Sequence, residues 1–138
     1  MHFGEIISLL ALGFGAILGV MALISPRWAS GVVRLVEDPD PDKPGGYSEF
    51  RATFGGFFML SHMMTAALLL TVSASDVNLL SVLVVLPLAA AWMGAALGRT
   101  VSLLVDGSKN RSNGMIPVWI PMEFLVGLAI AAPLLQFL

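Results

Sequence analysis

Val77-Asn78-Leu79-Leu80-Ser81-Val82-Leu83-Val84-Val85-Leu86-Pro87-Leu88-Ala89-Ala90-Ala91-Trp92-Met93-Gly94-Ala95-Ala96-Leu97-Gly98-Arg99-Thr100-Val101-Ser102-Leu103-Leu104 is an apolar run in which only Arg99 ionises. As a helix rising ~1.5 Å per residue it exceeds the ~30 Å hydrocarbon core of a bilayer, so it reads as a membrane-spanning helix. Three further stretches share its character: Phe3 to Ile24, Ala52 to Val72 and Met115 to Leu138. Only Ser73-Ala74-Ser75-Asp76 separates the second from the third, which forces an antiparallel hairpin. The fold class these runs predict is all-α: a polytopic membrane protein, a four-transmembrane-helix antiparallel bundle forming one domain over residues 1–138.

Composition agrees. The chain of 138 residues is 57% hydrophobic and 12% charged, with a mean hydropathy of +0.90, whereas an average soluble domain is about 25% charged. A net charge of −2 gives no reason to expect nucleic acid as a partner. The absence of cysteine excludes disulfides, thiolate metal sites and thiol catalysis. Met1-His2-Phe3-Gly4-Glu5 lacks the basic start of a signal peptide, so the first apolar segment is expected to be retained.

Basic residues set the expected orientation. Arg27, Arg34 and Lys43 fall between helices one and two, Lys109 and Arg111 between three and four, and none in the second loop. By the positive-inside rule loops one and three face the cytoplasm and both termini the outer side. Within the first loop, Trp28, Val32, Leu35 and Val36 recur at helical spacing between Arg27 and Glu37, which suits a short interfacial helix after helix one. The alternative is a simple extension of helix one. The following Asp38-Pro39-Asp40-Pro41-Asp42-Lys43-Pro44-Gly45-Gly46 cannot be helical, because its prolines remove donors and fix an extended backbone.

Small residues mark where helices can approach closely. Gly15 and Gly19, and Gly94 and Gly98, have the small-xxx-small spacing, and Gly55-Gly56 opens helix two; such faces serve contacts within one chain or with a second subunit. Pro87 in helix three and Pro117, Pro121 and Pro133 in helix four are expected to kink or locally open their helices.

Charge in or beside such segments is costly and rarely idle. Glu49 and Arg51 stand where the second segment begins, Arg99 and Asp106 where the third ends, and Glu123 inside the fourth, roughly 12 Å along it from Met115. Glu123 is therefore expected to pair with Arg99 or Arg51 or to be protonated, with Glu49 and Asp106 ringing the cytoplasmic edge. Such a network is either an interhelical clamp or a polar pocket for an anionic head group or a proton.

His62 lies mid-helix among Ser61, Met59, Met63 and Met64, and with Ser61 and Ser102 it could extend a polar pocket. Imidazole and thioether ligands suit copper or haem, but one histidine with methionines is weak grounds for either. The favoured reading is a core histidine bonded to a neighbouring hydroxyl or carbonyl, and no metal or cofactor is expected. There is no Gly-x-Ser-x-Gly elbow, phosphate-binding glycine loop or histidine cluster.

Ser48-Glu49-Phe50-Arg51-Ala52-Thr53-Phe54-Gly55-Gly56, then Gly98-Arg99-Thr100-Val101-Ser102-Leu103-Leu104-Val105-Asp106-Gly107, then Glu123 resemble the bacterial family termed domain of unknown function 4345. The resemblance begins at Tyr47 and implies a small four-helix protein of the bacterial inner membrane. Where many members carry tyrosine, this chain has Phe54. A looser similarity in size and helix number links it to DoxX-type membrane proteins, by analogy of fold alone.

The leading functional expectation is a non-enzymatic accessory or assembly subunit, in a homo-oligomer or with a membrane protein partner. The alternative is a binding or transport module for a bound lipid, hydrophobic ligand, small anion or proton, built on Arg51, Arg99 and Glu123. A small membrane enzyme acting on a lipid-like substrate is third.

Overall fold

A computed structural model describes residues 1–33, 47–74, 78–105 and 116–138. Among these residues every regular element is helical. Helix α1 spans Phe3–Ile24, the bounds its hydropathy predicts. It stops before Ser25, and Pro26 opens a separate helix α2, Pro26–Val33. Proline suits that place, because the first turn of a helix has no partner for its N–H groups. The segment after helix one is thus distinct from it rather than an extension. Pro26, Ala29 and Ser30 are buried while Arg27 and Trp28 are exposed. Leu35, Val36 and Glu37 of the expected interfacial stretch lie outside the described residues, as does the proline-rich loop.

Helix α3 runs Ser48–Val72. It begins as an α-helical turn at Ser48–Phe50, widens to a π-helix over Arg51–Phe57 and returns to α-helix at Phe58–Val72. The Phe58 N–H reaches back to the Thr53 carbonyl, five residues away. Gly55 and Gly56 bring no side chain to resist the wider coil, and the rings of Phe50 and Phe54 stack at 5.0 Å along it. Hydropathy alone gave no sign of this change in pitch.

Helix α4, Asn78–Val105, passes through Pro87 without interruption. Helix α5, Ile116–Ile130, likewise passes Pro121. Within the fourth apolar stretch, Met115 to Leu138, α5 ends at Ile130 and a 3-10 helix follows over Ala132–Phe137, a local opening of the kind expected at Pro133. Pro133 explains the break, since it has no N–H for the Ala129 carbonyl, and the Leu134 N–H turns to the Ala131 carbonyl at 2.9 Å. At 15 residues, α5 alone reaches about 22 Å. Among the described residues three helices, α1, α3 and α4, are each long and apolar enough to cross a membrane.

By contacts the chain divides into two compact units, Leu12–Ala66 and the pair of segments Met1–Ala11 and Ala67–Leu138. In the first unit, glycine lets α1 lie against α3. A Cβ at Gly15 would overlap the His62 imidazole, and one at Gly19 would stand 2.6 Å from the Met59 backbone nitrogen. Gly55 answers from α3, where a Cβ would meet Leu23 Cδ2 at 2.6 Å. Between helices in lipid, where burial of apolar surface supplies little, such close approach is a main source of attraction.

The second unit is organised by the seam between α4 and α5. Ser81, Val82, Val85, Ala89, Trp92 and Ala96 are buried on α4 at spacings of three and four, which is one face of a helix. Glu123, Gly127 and Ile130 are buried on α5 at the same spacing. Gly127 sets the depth of contact, for a Cβ there would lie 2.8 Å from Met93 Cγ and 3.0 Å from the Ala89 carbonyl oxygen. By contrast, among the described residues nothing stands within 4 Å of a Cβ built at Gly94 or Gly98, and Gly56 meets only its own helix.

Candidate functional site

The α4 stripe that buries Trp92 and Ala96 arrives next at Arg99. There Arg99 Nε donates to Glu123 Oε1 at 2.8 Å. The Glu123 side chain is 7% exposed and that of Arg99 28%. Of the five charged residues picked out in the sequence, these two are brought together. Glu49 and Arg51 are exposed at the start of α3, and Asp106 lies outside the described residues.

The ion pair is incomplete. Guanidinium and carboxylate can match through two parallel hydrogen bonds, but here a single N–H is used. Among the described residues Glu123 Oε2 is buried with no hydrogen-bond partner, and so is Trp119 Nε1. Trp119 precedes Glu123 by four residues on α5, so the two side chains are neighbours on one helix face. One orphan is an acceptor and the other a donor. Leaving such groups unmatched costs about 1–3 kcal/mol each, and more for a charged one. Half-buried Ser102 lies three residues beyond Arg99.

His62 is fully buried, and its Nδ1 lies 2.7 Å from the Phe58 carbonyl. Because a carbonyl only accepts, Nδ1 carries the proton and the bond fixes the tautomer. Ser61 Oγ donates to the same carbonyl at 2.9 Å. This matches the core-histidine reading, with the ring also 4.3 Å from that of Phe58 between centroids.

Sequence reasoning passed over a second buried carboxylate. Glu5 is 2% exposed; its Oε1 accepts from Ser81 Oγ at 2.6 Å and its Oε2 from the His2 backbone N–H at 2.8 Å. The Glu5 N–H in turn bonds the His2 carbonyl, so Glu5 closes the first turn of α1 in the manner of a capping box. Three residues on, Ser8 Oγ donates to the Ile130 carbonyl at 2.8 Å. That carbonyl has lost its helical donor to the break at Ala131, and the serine replaces it. Gln136 Nε2, on the 3-10 helix, donates to the Asn78 carbonyl while its Oε1 is buried without a partner among the described residues. The available signal was Glu5 three residues after His2, with Ser8 on the same face. Both Glu5 oxygens are satisfied, so this end of the seam is a structural latch. Ser81→Ala is expected to remove about 1.5–3 kcal/mol of stability, the worth of a hydrogen bond to a charged group, read as a lower midpoint of thermal unfolding in detergent. An unchanged midpoint would show that the latch carries no weight.

Fold and site together describe a small all-helical protein with membrane-length apolar helices and an incompletely satisfied ion pair buried between two of its helices. Comparison with family models, curated proteins and solved structures finds no match to this chain.

Proposed function

We propose that this protein is a multi-pass membrane protein whose α4–α5 seam binds a small amphiphilic molecule at Arg99, Glu123 and Trp119. The observation that carries the reading is a pair of buried atoms without a partner among the described residues, Glu123 Oε2 and Trp119 Nε1, beside a half-made ion pair. A clamp serving only to hold helices together would be favoured with both carboxylate oxygens satisfied. Three spans come from α1, α3 and α4; α5 with its 3-10 extension supplies the fourth, since the two together reach about 34 Å. The distribution of lysine and arginine favours loops one and three on the cytoplasmic side of a bacterial inner membrane, with both termini outside. The resemblance to the 4345 family of unknown function rests on motifs that contain Arg99 and Glu123, so it draws on the same two residues.

The test is mass spectrometry of the protein purified from its native membrane. A stoichiometric small amphiphile, lost in Trp119→Phe, is the expected result. A second reading, an accessory subunit, draws on the open face of α4 at Gly94 and Gly98, where a partner helix has room to approach. A stoichiometric second polypeptide with no retained small molecule would establish that reading instead.

A further inference from the structure

We infer that the head group taken up at the α4–α5 seam is a hydroxyl, carried on an otherwise apolar molecule. This rests on the binding reading above and names the chemistry of its ligand. Charge comes first. Arg99 and Glu123 touch at 2.8 Å and cancel, so an anion drawn to the guanidinium meets the carboxylate, and a cation drawn to the carboxylate meets the guanidinium. The sequence left an anion open as one ligand among several; with Arg99 paired to Glu123 at this distance, the guanidinium does not select one.

Hydrogen-bond inventory then narrows the neutral groups. Trp119 Nε1–H only donates, and an ionised Glu123 Oε2 only accepts. Among the described residues both are buried and unpartnered, on adjacent turns of one helix face. A ketone, ester or ether would satisfy the tryptophan and leave the carboxylate oxygen orphaned. A protonated amine would satisfy the carboxylate and leave the indole orphaned. A hydroxyl donates once and accepts twice, so it meets both, with a lone pair left for a second Arg99 N–H. The residues exposed beside the site in sequence, Leu97 and Val101 on α4 and Val118 and Phe124 on α5, are apolar, which suits an apolar body outside the seam.

The protein labelled with 15N-tryptophan, in phosphatidylcholine discs free of hydroxyl-bearing lipid, tests this. Trp28, Trp92 and Trp119 give three indole resonances, and Trp119→Phe identifies the one that matters. Titrating 1-dodecanol is expected to move the Trp119 resonance downfield and to saturate, leaving the other two in place. Dodecyl methyl ether keeps the acceptor but lacks the donor, and is expected to bind about tenfold more weakly or worse. In Glu123→Ala the preference for the alcohol should vanish, and the comparison of alcohol with ether in the unaltered protein stands even if that variant does not fold. Equal binding of alcohol and ether, or tighter binding of dodecanoate, would overturn the hydroxyl while leaving a binding seam. If no additive moves the Trp119 resonance saturably, a resident water fills the gap, and both inferences fall.

Discussion

Glu123→Ala is expected to lower the stability of the protein by about 2–4 kcal/mol, with Glu123→Gln costing about 1 kcal/mol. Removing the carboxylate strands Arg99 with its charge uncompensated between helices, and losing one partner of a buried pair costs about 3–5 kcal/mol. The figure is reduced because the Arg99 side chain is 28% exposed and can turn partly toward solvent or head groups. Glutamine keeps an oxygen where Arg99 Nε donates, so it holds the bond while giving up the charge. Unfolding in detergent of the two variants, Arg99→Ala and the double variant Arg99→Ala with Glu123→Ala measures the coupling. A double variant no less stable than either single one is expected, since it leaves no stranded charge. Equal costs for alanine and glutamine would mean that the charge, and not the retained hydrogen bond, carries the contribution of the pair.

Gly4→Ala is expected to cost about 3 kcal/mol, while Gly13→Ala on the same helix should be neutral or stabilising by up to about 1 kcal/mol. A Cβ at Gly4 would collide with the Ala132 carbonyl oxygen and stand 2.8 Å from its carbon and 3.2 Å from the Pro133 nitrogen. These are backbone atoms, and no side chain can swing aside to relieve the overlap. At Gly13 nothing among the described residues lies within 4 Å, so alanine only removes the flexibility glycine brings to a helix. Thermal unfolding of the two variants in one detergent reads the difference directly. Equal midpoints would show that the start of α1 does not rest on the 3-10 helix.

The contrast between these positions shows what sequence could and could not reveal. Hydropathy located α1, and charge cost alone pointed to a partner for Glu123, because both depend on the residue and its depth. The spacing of Gly15 and Gly19 disclosed a packing face, yet Gly94 and Gly98 have the same spacing and lie open. What lies opposite decides, and that is distant in the chain. Glu5 looked like a polar residue at the start of a span; its burial depends on Ser81, far along in α4. The π-helical stretch at Arg51–Phe57 was hidden for a related reason, since glycine permits several backbone paths, whereas Pro133 already marked where the last helix opens. Trp119 was passed over because an indole in an apolar run looks like packing until its nitrogen is found without an acceptor.

The bond from Ser8 to Ile130 joins positions 122 residues apart. On a growing chain it bears on timing: α1 is made first, yet the acceptor for Ser8 does not exist until α5 has been synthesised. Until then the serine hydroxyl can bond only locally, to a carbonyl of the preceding turn of its own helix. The Glu5 bonds to His2 and Ser81 need only α1 and α4, so the Ser8 bond is the last of these ties that chain growth allows.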